Sequence, residues 1–319
     1  MDTLIIMLKN VLIFVLLAVP GYLLVKGKAL GQPESGTLSK LLTNIGMPFL
    51  IFSSTLKLEL TGSFAARLLV CGAFCVLFTT GFFFLCALFV RGEKDDKRQR
   101  MMRFCMAFAN NGFIGIPLAR AVFGEDSPVM AYLIILNIIT NVLMFSLGTS
   151  LLSGEKQSLD VKKIFLSPVL LAFLAGIAVN FTGITGKVPE IQTYCTHFSG
   201  IVTPLSMVIL GMKLAAIPMG KLFASWRMYY VSAVRLVLFP ILGVGFGFVL
   251  CLIPGLGLDK DFILALFMGF AMPTAGLASA FADRYRGDTE NAAVFTLGTT
   301  ILSVVTIPVL YMLLNILIK

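Results

Sequence analysis

Apolar runs of about 20 residues follow one another along almost the whole chain, interrupted only by short charged or Gly/Pro-containing breaks, and a run of that length matches the hydrocarbon thickness of a bilayer when helical. In lipid every backbone N–H and C=O must be satisfied within the protein, so such a chain folds as helices or as a closed barrel. The runs are continuously apolar and lack the ten-residue alternation of a transmembrane β-barrel, which leaves helices. Read with edges at charges and Gly/Pro clusters, the spans cover 4–25, 38–56, 68–90, 102–123, 128–152, 164–184, 197–217, 226–253, 262–282 and 292–318. In 319 residues this leaves short connections and no separate soluble domain, and a charged fraction of 13%, against about a quarter in soluble proteins, agrees. The first run lacks a basic leader and a small-residue cleavage site, so it reads as a retained span. The six cysteines lie mostly inside apolar runs without metal-type pairing and read as core thiols.

Basic residues orient the chain. The odd-numbered connections hold 17 Lys and Arg, including Lys94, Lys97, Arg98, Arg100, Arg103, Lys213, Arg284 and Arg286, whereas the even ones and the C-terminus hold five. The odd connections are therefore expected on the cytoplasmic side and both termini outside, in a cell (inner or plasma) membrane. Insertion and contact with anionic lipid account for most of the +9 net charge, so no nucleic-acid partner is expected.

The halves repeat. A shift of 156 residues lays Ile45, Pro48, Lys57 and Leu58 over Ile201, Pro204, Lys213 and Leu214. A shift of 162 lays Met106, Phe108, Ala109 and Asp126 over Met268, Phe270, Ala271 and Asp288. With five spans per half, the second copy must insert upside down, as in many secondary transporters whose site lies near the midplane between the halves. The expected organisation is 1–153 for the first five-helix repeat, 154–163 for a cytoplasmic loop, and 164–319 for the inverted second repeat.

Both fourth spans of the repeats are interrupted. The first reads Asn110, Asn111, Gly112, Phe113, Ile114, Gly115, Ile116, Pro117, and its mate reads Met272, Pro273, Thr274, Ala275, Gly276. Proline removes an amide donor and glycine is costly in a helix, so neither stretch is a regular helix. One reading is a simple kink. The other is a paired break at a binding site, with half-helix amides for an anion and freed carbonyls for a cation, Gly115, Pro117, Pro273 and Gly276 marking the crossover. Asn137 and Asn141 lie four apart on one face of span five, either converging on Asn110 and Asn111 or serving as interhelical glue. Thr299 and Ser303 are their repeat mates and candidates for an ion or electrostatic role. Arg235, about nine residues into span eight, either faces a cavity or partner or snorkels to the cytoplasmic surface. Arg120, Lys57, Lys213 and Lys9 read as anchors near span ends. No Asp or Glu sits mid-span, which disfavours a carboxylate proton relay and suits an anionic substrate. Nothing resembles a nucleotide loop, a metalloprotease helix or an intramembrane aspartyl pair, so no enzyme, catalytic residue or metal site is expected.

The stretch from Asn110 to Leu118, the stretch from Met272 to Gly276, the Ala-Val-Arg ending at Arg235 followed by Pro240, and the ending from Leu302 to Pro308 together resemble the auxin efflux carrier family, which includes bacterial malate and malonate permeases. The resemblance runs over nearly the whole chain. It implies an all-α polytopic fold of ten transmembrane helices in two inverted five-helix repeats, similar to the bile acid sodium symporters, whose broken helices four and nine cross. It also implies a scaffold of spans 1, 2, 6 and 7 and a transport domain of spans 3–5 and 8–10 that moves as an elevator. In the plant members an Asn of span four holds a substrate carboxylate, and Asn110 is the residue aligned with it. The long cytoplasmic loop of many plant members is absent, since the central loop is about Ser153 to Lys163.

The expected function is secondary transport of a small organic anion, a mono- or dicarboxylate such as malate or malonate or an auxin-like acid, with Asn110, Asn111, Gly112, Asn137, Asn141, Pro273 and Thr274 at the substrate. No cofactor is expected beyond a coupling Na+ or H+, and the partners are the substrate, the bilayer and, for a carrier of this kind, a second copy in a homodimer. A channel-like uniport pathway and a ligand sensor retaining the transporter fold are the alternatives.

Overall fold

The computed structural model describes residues 2–56, 61–154, 166, 168–184, 188–215 and 218–318. Lys57 and nearly all of the expected loop at 154–163 lie outside them. The described residues are helical throughout, with one isolated antiparallel bridge and no strand. In order they form α1 (Asp2–Lys26), α2 (32–56), α3 (Gly62–Phe89), α4a (Asp96–Ala107), α4b (Asn111–Phe123), α5 (Pro128–Ser153), α6 (Pro168–Thr182), α7 (Glu190–Ala215), α8 (Trp226–Cys251), α9a (Lys260–Phe270), α9b (Ala278–Arg284) and α10 (Thr289–Ile318). Among the described residues α3, α5, α7, α8 and α10 are each long and apolar enough to cross a membrane.

Local chemistry sets many of the ends. The side chains of Thr61, Asp95, Ser127 and Asp259 accept from Phe64, Arg98, Val129 and Phe262 amides, capping α3, α4a, α5 and α9a. Gly124 closes α4b at φ +87° and Gly154 closes α5 at φ +75°, backbone that side chains resist. Three prolines shape helix interiors in a common way. Met47, Ile116 and Phe239, each just before a proline, donate five residues back to Leu42, Asn111 and Val234. The proline that follows has no N–H, and its ring would strike the carbonyl four residues earlier, so the turn widens.

The exposure pattern is inverted relative to a soluble protein. Leu69, Leu77, Phe84, Phe181, Leu252 and Leu317 are exposed, while Ser53, Thr55, Asn111, Arg235, Thr274 and Thr299 are buried. An exposed apolar belt of this extent belongs against lipid. Many buried hydroxyls donate to the carbonyl a turn earlier, as Ser54 does to Leu50 and Thr296 to Ala292.

Packing falls into two sets. In one, α1 lies along α7 and α2 along α6, with α2 also touching α7. The α1–α7 backbones meet at glycine: a Cβ on Gly211 would stand 1.8 Å from the Ala18 carbonyl oxygen, and one on Gly21 would stand 2.0 Å from that of Val208. In the other set α5 packs on α3 and α9a, α8 on α9a and α10, and α4a on α3 and α10. A phenylalanine cluster of Phe74, Phe78 and Phe82 on α3, Phe239 on α8, and Phe262 and Phe270 on α9a fills its centre. At one end of this set Glu93 accepts from Arg227 and Arg98, and Arg98 also pairs with Asp288. Desolvation pushes the Glu93 carboxyl up, but the Arg227 hydrogen bond and the neighbouring guanidinium charges outweigh it and hold the group below the usual glutamate value.

Candidate functional site

Two helices stop in mid-course and exchange backbone where they meet. α4a ends at Ala107, and Phe108 is extended at φ −107° and ψ 125°. On the other side α9a ends at Phe270. Asn110 N donates to Pro273 O at 2.8 Å and Ala275 N donates to Phe108 O at 2.9 Å, pairing Ala109 antiparallel with Thr274.

Many of the backbone groups freed by these breaks are taken up by side chains, as burial in a membrane favours. Thr274 donates its hydroxyl to Cys105 O at 2.9 Å and its amide to Thr299 Oγ1 at 3.2 Å. Arg235 takes four carbonyls: Met272 through Nε at 3.0 Å, Met106 and Ala107 through Nη1 at 3.3 and 3.2 Å, and Phe270 through Nη2 at 2.7 Å. Its guanidinium carbon lies 4.1 Å from the centroid of Phe239, and the residue is 0% exposed. Arg235 therefore neither snorkels nor faces open space; it joins the C-terminal ends of α4a and α9a. Each such end carries roughly half a negative charge, so one guanidinium balances the two.

A cavity of about 560 Å³ runs from the crossing along the seam between the two packing sets. Asn110, Gly112, Asn137, Asn141 and Gly276 line it at the crossing, with Met47 and Thr43 of α2 opposite, and Arg284, Tyr285 and Thr149 line its far end. Between these ends the walls are apolar, with Phe113, Ile138, Phe145, Leu277 and Phe281. Asn110 caps α4b, its Oδ1 accepting from Phe113 N at 3.3 Å, and this leaves its Nδ2 beside Gly276, 3.3 Å from where a Cβ there would stand. Asn141 donates to Asn137 Oδ1 at 3.2 Å. A Cβ on Gly112 would stand 3.3 Å from that same oxygen, so glycine lets α4b approach α5 here.

The remaining expected site residues lie elsewhere. Asn111 is turned to α5, where its Nδ2 donates to Thr140 Oγ1 at 3.2 Å, and it is 1% exposed. Pro273 and Thr274 sit in the crossing behind the cavity wall, where they serve backbone pairing. Thr299 supports Thr274, and Ser303 donates to Thr300 O within α10. Gly115 faces Met272, 3.1 Å from its would-be Cβ to Cγ. Pro117 lies inside α4b after a widened turn, so the break it was expected to cause falls earlier, at 108–110.

Lys213 corrects the expectation of a surface anchor. It is partly buried, and its ammonium donates to Gly276 O at 3.0 Å, because α7 ends beside the break in α9. Arg120, expected as an interfacial anchor, pairs with Glu125 at 2.8 Å and donates to Ser199 O at 3.3 Å. All six cysteines are free, and five of them are buried.

An all-helical chain with an apolar belt, two interrupted helices and a seam cavity ending where they cross is a polytopic membrane protein of the transporter class. Residues 6–311 match the family described as Membrane transport protein. A protein named as an uncharacterized transporter in Methanothermobacter thermautotrophicus (strain Delta H) is 30% identical over 303 residues, covering 94% of each chain. The chain belongs to this membrane transport family, that of the auxin efflux carriers.

Proposed function

We propose that this transporter carries a small organic anion across the cell membrane by elevator-type alternating access. The seam cavity carries this reading: it ends on the amide groups of Asn110, Asn137 and Asn141 at the crossing, its walls beyond them are apolar, and Arg284, Tyr285 and Thr149 line its far end. A carboxylate fits the crossing end, with the Asn110 amide and the N-terminal dipole of α4b as its donors. The apolar walls between the crossing and Arg284 favour a monocarboxylate with an aromatic or branched body over malate or malonate, whose second charge, held close to the first, would be desolvated against them. In this reading ten spans form two inverted five-helix repeats, α1, α2, α6 and α7 stand as scaffold, and α3–α5 with α8–α10 move. With both termini outside, the cavity opens toward the cytoplasm.

Uptake of labelled phenylacetate, malate and malonate into proteoliposomes tests the reading. Saturable uptake of phenylacetate, lost in Asn110→Ala at unchanged folded yield, is expected. Undiminished transport by that variant removes Asn110 from the site. Uncoupled uniport is a second reading with its own support, because Arg235 already takes the carbonyls that would hold a sodium ion at the crossing. Uptake driven by an imposed sodium gradient would count against it.

A further inference from the structure

Charge at the crossing does not balance once Arg235 is accounted for. Its guanidinium is committed to four carbonyls at the ends of α4a and α9a and is sealed from the cavity, so it offers no free donor to a substrate. The other cation at the crossing, Lys213, has a different environment. Its Nζ meets the carbonyl of Gly276; Gly276 lines the cavity beside the Asn110 amide, and Lys213 itself stands one residue back from that lining. Among the described residues no carboxylate pairs with it, so one carbonyl dipole is the partner of a full charge.

An ammonium partly withdrawn from water, as Lys213 is, gains from an anion placed beside it. Its mounting is also stiff. Gly211, one half-turn before Lys213, holds the α7 backbone against that of α1 at Ala18, so Lys213 projects from a post that does not yield. Lys213 thus belongs to one packing set, while Gly276, Asn110 and the crossing belong to the other.

We propose that Lys213 is the positive end of the anion site: an ammonium fixed on α7 that holds the crossing through Gly276 and supplies the counter-charge for a carboxylate at Asn110. The proposal rests on the cavity being an anion site, as argued above. A bound carboxylate gives the ammonium the partner that the carbonyl alone does not provide. It also binds more tightly in the conformation that brings α7 to the crossing than in one that draws them apart, since the charge stays with α7.

Binding of phenylacetate, and of its neutral analogue phenylacetamide, to the purified wild type, Lys213→Met, Lys213→Gln and Lys213→Arg tests this, with malate and malonate in the same panel. A hydrogen bond to a charged group sets the expected size. Lys213→Met and Lys213→Gln weaken the acid about tenfold or more and leave the amide within about twofold. Lys213→Arg keeps most of the preference for the acid. A residue that merely packs would shift acid and amide together, and that result overturns the proposal, as does wild-type acid affinity in either neutral variant. Melting and size-exclusion profiles identify a variant that has not folded, and the other neutral variant then decides. If the wild type binds none of the acids, the anion reading itself has failed; if it binds them and the neutral variants bind equally, only the role of Lys213 has failed.

Discussion

A guanidinium without a carboxylate partner is among the costliest groups to place inside a membrane protein, and Arg235 shows how carbonyls alone can offset the cost. Four of its five N–H groups are spent on the ends of two interrupted helices, and Phe239 covers one face. Replacing it with methionine keeps much of the bulk and leaves those carbonyls buried without a donor. Arg235→Met should therefore lower the melting temperature of the purified protein sharply, a loss on the order of 3 kcal/mol or more, and Arg235→Lys should recover part of it. A melting curve for Arg235→Met that overlays the wild type would show that the carbonyls find other partners. From the sequence, a mid-span arginine announces importance but not its partners. Asn110 and Asn111 illustrate the same limit, since adjacent identical side chains point to different surroundings. Which of them lines the cavity depends on the backbone at 108–110, whose conformation is set by pairing with Pro273 and Ala275, far along the chain. Lys213 was hidden for a related reason: its position near the end of a span says anchor until the neighbouring break is placed beside it.

At the scale of elements, prolines do two distinct things. Pro20 and Pro308 sit within continuous helices, whereas Pro48, Pro117 and Pro240 each follow a turn widened to five residues. The turn at Val234–Leu238 contains Arg235, so the extra residue sets the angle at which the guanidinium leaves α8. Pro240→Ala restores an amide and lets that turn tighten, rotating Arg235 away from Phe270 and Met272. The expected outcome is a lowered melting temperature and slower uptake, while Pro20→Ala leaves both near wild type. Equal behaviour of the two variants would separate the proline from the placement of Arg235. The apolar runs made the existence and order of the helices readable, and Pro and Gly marked roughly where two of them fail. The break in the fourth span still falls seven residues before Pro117, because the crossing, and not proline chemistry, decides where α4a stops. The packing of one helix on another carries no such mark: α1 and α7 meet through Gly21 and Gly211, which are unexceptional among 29 glycines.

For the whole molecule the question is what holds the two packing sets in their present relation. At one end of α4b the contacts are polar and dense. Ser53 of α2 donates to Glu125 at 2.8 Å, Gln192 of α7 donates to Ser53, and Arg120 joins Glu125 to the Ser199 carbonyl. Asn10 of α1 donates to the Ala121 carbonyl at 3.4 Å. At the other end the seam is open as the cavity. If the two sets slide past one another in transport, this polar closure must part in every cycle, and hydrogen bonds of modest net value suit a contact that is made and broken. Cysteines at Ser53 and Glu125, in a background with the six native cysteines replaced, place a thiol on each side of it. Bridging them with a short bifunctional methanethiosulfonate should abolish uptake in proteoliposomes, reduction should restore it, and either single cysteine should be indifferent to the reagent. The unbridged double variant, which has lost the Arg120–Glu125 pair, should still transport. Full transport by the bridged protein would mean that α2 and the end of α4b travel together, and the boundary between the moving and standing helices would then have to be drawn elsewhere than along this seam.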